Sequence, residues 1–157
     1  MDKMEKTVVL IKPDALQRSL VGEILHRFER KGLKIIGLKM VHLNDAILEE
    51  HYSHHKEKPF FESLKNFMKS APLMVVALSG INAVKAIRLL CGPTYGAEAD
   101  AGSIRGDFSM STQANIVHAS DSKETAEIEI KRFFKKEEIF EYKKTDFEFV
   151  YGEEERG

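Results

Sequence analysis

The residues best suited to chemistry lie around His118, in the segment 115–122 (NIVHASDS). This histidine follows a short apolar run typical of a β-strand, and the residues after it are of types that begin helices. Asp121, with Glu124 three residues later, resembles a capping box. Helix N-termini attract phosphate, and a neutral imidazole is a nucleophile near pH 7. The pattern therefore predicts that His118, at a strand-to-helix junction, accepts a phosphoryl group.

The ordinary alternative is a histidine that packs or is solvated beside a helix cap. The following helix favours the chemical interpretation, because its apolar residues in 126–134 form one face and Glu129 lies at the margin of that face. A half-buried carboxylate needs a partner, and the imidazole of His118 is a suitable one. We expect Glu129 to orient and polarise His118, with Ser120 close by.

A second chemical feature is the segment 92–114, which contains four glycines and shows no clear periodicity. Loops of this length are usually functional or disordered. It carries Thr94 and Arg105, and Arg88 lies one helical turn before it. Guanidinium groups bind phosphate oxygens in a bidentate fork, so these residues predict a polyphosphate clamp. The alternative is that Arg105 only pairs with Asp107 across a turn.

The common nucleotide-binding motifs are absent from the sequence. The segment 32–37 has the glycine spacing of a P-loop, but Leu38 and Lys39 follow it, and it falls inside a strand pattern. The glycine-rich loop and His-Arg-Asp set of protein kinases are missing too. A phosphotransferase without either motif is expected to pass the phosphoryl group through a residue of its own, for which His118 is the candidate.

Four segments together resemble the nucleoside diphosphate kinase family, and they occur in the order and spacing of that family from about residue 7 to about residue 142. These segments are 9–15 (VLIKPDA), 51–61 (HYSHHKEKPFF), 102–108 (GSIRGDF) and 115–122. The resemblance implies one domain over 1–157 with a C-terminal tail from about 143. It implies transfer of the γ-phosphate of a nucleoside triphosphate to a nucleoside diphosphate in a ping-pong reaction, through a phosphohistidine at Nδ1 of His118.

The resemblance also implies roles for the residues around His118. Glu129, Ser120 and Tyr52 would assist it. Seven residues would bind the nucleotide: Phe60 by stacking on the base, Asn115 at the ribose hydroxyls, Lys12 at the phosphates or sugar, His55 near the phosphates, and Arg88, Thr94 and Arg105 in the clamp. Stacking tolerates any base, which implies broad specificity. Mg²⁺ would be held mainly by the phosphates of ATP or another nucleotide, and the protein would form a homo-oligomer, a hexamer or tetramer.

Composition limits the other function classes. The chain has 157 residues, 43% of them hydrophobic, and a formal net charge of −1. This describes one ordinary globular domain with no large positive field for nucleic acid. A ferredoxin-like module that binds single-stranded nucleic acid is the rival interpretation, but an RNP-type motif is missing. His51 and His55 have a spacing that also suits a structural zinc site.

Cysteine usage and hydropathy set the expected compartment. Cys91 is the single cysteine, so an internal disulfide is impossible. An apolar run of membrane-spanning length is missing, and the polar start does not resemble a signal peptide. We expect a cytoplasmic protein.

Periodicity predicts the element order β-α-β-α-α-β-α-loop-β-α. The strands are expected at 7–11, 33–43, 73–78 and 115–117, and the helices end at glycine or proline or begin at Asn and Ser. The order suits an α+β fold, a ferredoxin-like α/β sandwich with a four-stranded antiparallel sheet and helices on one face.

Overall fold

A computed structural model describes residues 3–157. Its centre is a four-stranded sheet in the order β2-β3-β1-β4, with every neighbouring pair antiparallel. The strands are β1 (Met4–Ile11), β2 (Lys34–Val41), β3 (Leu73–Ile81) and β4 (Val117–Ala119). The predicted antiparallel sheet is confirmed.

Eight α-helices surround this sheet in residues 3–157. They are α1 (Pro13–Gln17), α2 (Val21–Lys31), α3 (Asp45–His51), α4 (Phe61–Met68), α5 (Ala83–Cys91), α6 (Ile104–Phe108), α7 (Lys123–Phe133) and α8 (Phe147–Val150). Along the described chain, every helix falls short of the length and apolarity needed to span a membrane.

The sheet is covered on both faces, so the prediction of helices on one face is wrong. Alternate residues of a strand point to opposite faces. Val9 and Ile11 of β1 pack in a core with Phe28 of α2, whereas Leu10 packs in a second core with Met68 of α4. Because the central strands are apolar on both sides, each face must be covered.

Local capping explains where several elements start. The side chain of Asn44 accepts a hydrogen bond from the backbone N–H of Ile47 and begins α3. The predicted Asp121–Glu124 capping box is wrong, because Ser122 is the N-cap of α7 and accepts from the N–H of Thr125. The N-cap of α7 is therefore one residue after Asp121, the first residue of the predicted capping box.

The region predicted as a loop at 92–114 contains regular structure. A 3₁₀ turn spans Gly96–Glu98, and the short helix α6 begins at its N-cap Ser103. The strand predicted at 115–117 is also displaced. Ile116 has a φ of 76°, and the N–H of Val117 donates to the carbonyl of Asn115, which makes a γ-turn that a strand cannot contain.

The C-terminal tail, which no sequence pattern placed, lies along β2 and the end of the sheet where β1 begins. The hydroxyl of Tyr142 donates to the carbonyl of Ile35, and the hydroxyl of Tyr151 accepts from the N–H of Ile81. Lys12 follows the other end of β1, so the tail and the predicted site lie at opposite ends of that strand.

Candidate active site

A cleft of about 860 Å³ opens where β1, β4, α3 and α7 meet. Three of the residues predicted to do chemistry line it: Tyr52, His118 and Glu129. The predicted nucleotide-binding residues line it as well: Lys12, His55, Phe60, Arg88, Thr94, Arg105 and Asn115. Ser120 does not line the cleft and is 1% exposed.

His118 is held from one side by a buried carboxylate. It lies within β4 and pairs with Leu10 of β1, four residues before the N-cap of α7. Glu129, on α7, places its two carboxylate oxygens 3.0 and 3.1 Å from Nε2 of His118. The hydroxyl of Ser120 donates to the same carboxylate at 2.9 Å. This carboxylate therefore contacts the Nε2 side of the ring and leaves Nδ1 without a bond to it.

The γ-turn at Ile116 sets the start of β4. A β-branched residue at positive φ is strained, and such strain persists only where the surroundings impose it. Here the carboxylate of Asp14 accepts the N–H of Ile116 at 3.0 Å, while the carbonyl of Ile116 accepts the N–H of Lys12 at 2.9 Å. These two bonds tie Asn115 and the start of β4 to the segment after β1.

Lys12 and Asn115 form a buried polar chain along the cleft. The ammonium of Lys12 donates to Oδ1 of Asn115 at 2.7 Å, and Nδ2 of Asn115 donates to the carbonyl of Thr94 at 2.9 Å. Burial, followed by the nearby charge of Arg105, lowers the pKa of Lys12 to about 8. A lysine in this state gains most from an anionic ligand, because the ligand restores the charge that burial opposes.

Arg105 joins the loop to β4. Its guanidinium donates to the carbonyls of Gly92, Asn115 and Val117. The alternative that it pairs with Asp107 is wrong, because Asp107 forms its ion pair with Arg27 at 2.6 Å. These three carbonyls hold Arg105 in the wall of the cleft.

Aromatic rings form the outer wall of the cleft. His55 contacts Phe60 edge to face at 5.1 Å and stacks on Tyr52 at 6.2 Å. Phe60 is 45% exposed, whereas its neighbour Phe61 is 5% exposed and belongs to the core. Burial raises the pKa of the Tyr52 hydroxyl, so this group stays protonated. Because Phe60 is exposed, its ring is available to stack on a flat ligand.

Two further residues at the site were missed by sequence reasoning. His51, considered only with His55 as a zinc pair, instead contacts His118, with ring centres 4.5 Å apart. Arg132, on α7, donates to Nδ1 of His51 at 2.8 Å. In residues 3–157 the group with metal-ligand spacing is His51, His118 and Glu129, and His55 is outside it. Local spacing gives no signal for these contacts.

Comparison with known proteins identifies the family. The family model "Nucleoside diphosphate kinase" matches residues 5–139. A nucleoside diphosphate kinase of Parabacteroides distasonis is 55% identical over 97% of this chain and 99% of its own length, and one of Archaeoglobus fulgidus is 47% identical over 96% and 99%. The solved structure of a halophilic nucleoside diphosphate kinase from Halobacterium salinarum in complex with CDP has a TM-score of 0.92 and 37% identity, covering 94% of this chain and 98% of that one. The chain belongs to the nucleoside diphosphate kinase family.

Proposed function

We propose that the protein is a nucleoside diphosphate kinase that works by a ping-pong mechanism through a phosphohistidine at His118. The observation that carries this proposal is the carboxylate of Glu129 at 3.0 Å from Nε2 of His118, inside a cleft lined by cationic side chains. This contact leaves Nδ1 as the nucleophile. Passing the group through the protein lets one site serve donor and acceptor nucleotides in turn.

In the first half-reaction, Nδ1 of His118 attacks the γ-phosphorus of a nucleoside triphosphate. The N–P bond forms, the bond to the bridging oxygen breaks, and the nucleoside diphosphate leaves with the electron pair. Glu129 accepts the hydrogen bond from Nε2–H and stabilises the positive charge that develops on the ring. In the second half-reaction, a terminal oxygen of another diphosphate attacks the phosphorus and the N–P bond breaks.

Cationic groups would offset the charge on the transferring phosphoryl group. Lys12 and Arg105 are held in the wall of the cleft by their hydrogen bonds, and Arg88 extends from the last turn of α5. Positioned positive charge is the main source of catalysis in phosphoryl transfer. Thr94, which follows α5 in the cleft lining, and His55 would add contacts to the phosphates.

The base and sugar would bind on the aromatic side of the cleft. The exposed ring of Phe60 offers a face for stacking, which recognises any base. Asn115 and Lys12 would contact the ribose hydroxyls. We therefore expect the enzyme to accept many bases, because stacking on Phe60 does not depend on the hydrogen-bonding groups at the edge of a base.

The cleft suits a magnesium ion that arrives with the nucleotide. Two of its carboxylates already have partners, since Glu129 contacts His118 and Glu50 pairs with Arg132 at 3.3 Å. Asp121 also lines the cleft and is exposed. A cage of several carboxylates is not formed by the described cleft residues, so the phosphates would supply most ligands. Bound Mg²⁺ would neutralise phosphate charge.

The experiment that tests this function is incubation with γ-labelled ATP. We expect acid-labile, base-stable label on the wild-type protein and its release on addition of any nucleoside diphosphate. His118→Ala should abolish both labelling and exchange while the protein stays folded. Normal labelling of the variant would overturn the mechanism. We also propose a homo-oligomer, hexamer or tetramer, which native mass measurement would distinguish.

A further inference from the structure

His51 packs directly against the ring of the proposed nucleophile. It is the last residue of α3, is 5% exposed, and approaches His118 with ring planes at 77°. Tyr52 and Phe133 contact the His51 ring at 4.6 and 5.2 Å. Glu129 contacts His118 only at Nε2, and a contact at one atom permits the imidazole ring to rotate about that atom. The neighbouring ring of His51, with its centre 4.5 Å from that of His118, restricts that rotation.

Arg132 in turn determines the state of His51. Its Nη1 lies 2.8 Å from Nδ1 of His51, and a guanidinium can only donate. Nδ1 must therefore be unprotonated, and the neutral ring carries its hydrogen on Nε2. Burial, with the neighbouring charges of His118 and Arg132, lowers the pKa of His51 to about 2. The ring is consequently neutral, in one tautomer and in one orientation.

A metal ion is the other ligand that the cluster of His51, His118 and Glu129 suggests, since their ligand atoms lie within 4.8 Å of one another. The tautomer argues against it. Metal ligation uses a nitrogen lone pair, but the lone pair of Nδ1 accepts from Arg132 and Nε2 carries hydrogen. In the described structure Nε2 of His51 is buried with no hydrogen-bond partner, and it is a donor, which repels a cation.

We propose that Arg132 and His51 form a positioning pair that keeps Nδ1 of His118 aimed at the phosphorus. This inference rests on the function proposed above. Helix α7 supplies both supports of the nucleophile: Glu129 acts on it directly, and Arg132, one helical turn later, acts through His51. In this proposal both residues act through His118 and not on the transferred group. Small displacements of a reacting atom slow group transfer strongly.

The test is a single-turnover measurement of His118 phosphorylation by saturating Mg·ATP in the variant Arg132→Met. Methionine has an unbranched side chain and a helix propensity similar to that of arginine, but it lacks a hydrogen-bond donor. We expect the rate to fall about 10-fold to 100-fold, as for the loss of other orienting groups, with ADP affinity unchanged. Lys131→Met is the matched control, because it removes one positive charge from an exposed neighbouring position. It should react at the wild-type rate.

The tautomer provides a readout that a purely structural role would not change. In protein labelled with ¹⁵N-histidine, long-range ¹H–¹⁵N spectra should show His51 as the Nε2–H tautomer in the wild type and as a mixture in Arg132→Met. Arg132→Lys, which retains a donor, should recover part of the lost rate. His51→Asn is a second variant that removes the ring but keeps an acceptor for Arg132, and it should also be slow.

Three results would overturn the proposal: a wild-type rate in Arg132→Met, a wild-type rate in His51→Asn, or a rate loss that only follows a loss of ADP affinity. The failure of this inference differs from failure of the proposed function. Label that persists in His118→Ala would overturn the function, whereas label confined to His118 with full speed in Arg132→Met would overturn the positioning pair alone.

Discussion

Raising the pH above 8 should weaken nucleotide binding, because Lys12 loses its charge there. Burial and the charge of Arg105 lower its pKa to about 8 from the ordinary lysine value of 10.5. Anionic phosphates favour the charged amine, so binding at high pH must be accompanied by proton uptake. Below pH 8 the charged form is already present in the free protein, and affinity should be nearly constant.

The magnitude follows from the position of that pKa. Between pH 7 and pH 9 a group with a pKa of about 8 changes from roughly 90% to roughly 10% charged, and the apparent Kd of ADP should rise about tenfold, or about 1.4 kcal/mol. A solvated lysine with a pKa of about 10.4 would leave Kd almost unchanged over the same range. Arginine side chains are not deprotonated in proteins, and burial raises the pKa of Tyr52 further from this range.

Calorimetric titration of ADP at pH 7, 8 and 9, in buffers of different ionisation enthalpy, would measure both affinity and proton uptake. Lys12→Arg is the matched control, because its charge persists at pH 9. The affinity of this variant for ADP at pH 7 need not equal that of the wild type, but it should not change between pH 7 and pH 9. A flat wild-type profile, or the same slope in Lys12→Arg, would refute the assignment of this titration to Lys12.

Two further predictions concern single side chains. Glu129→Gln should slow phosphorylation of His118 about 10-fold to 100-fold, with ADP affinity preserved, because the carboxylate acts on the imidazole; weaker ADP binding at unchanged turnover in stopped-flow assays would contradict this. Phe60→Ala should weaken ADP and UDP by a similar amount, about 1–3 kcal/mol. Because the ring is 45% exposed, the melting temperature should change little; a large fall in melting temperature with both affinities intact would instead make Phe60 a core residue.

The loop at 92–114 illustrates where sequence reasoning stopped. Its glycines and the side chains of Thr94 and Arg105 were evident from the sequence, but α6 and the 3₁₀ turn were not. The guanidinium of Arg105 satisfies three carbonyls that lie apart in the chain. Spacing along the sequence offered the nearby Asp107 as an alternative partner of Arg105, whereas in the folded protein that carboxylate pairs with Arg27.

Local features of this protein are determined by its sequence, because apolar periodicity, caps and glycine stops act within a few residues. They predicted the first three strands, the main helices and the pairing of a carboxylate on α7 with His118, but placed the fourth strand two residues too early. Tertiary structure alone decided which groups complete the site. The strained turn at Ile116 requires Asp14, which is 102 residues away, and the contact of Arg132 with His51 spans 81 residues. Such contacts arise from packing two elements together, and local residue preferences carry no information about them.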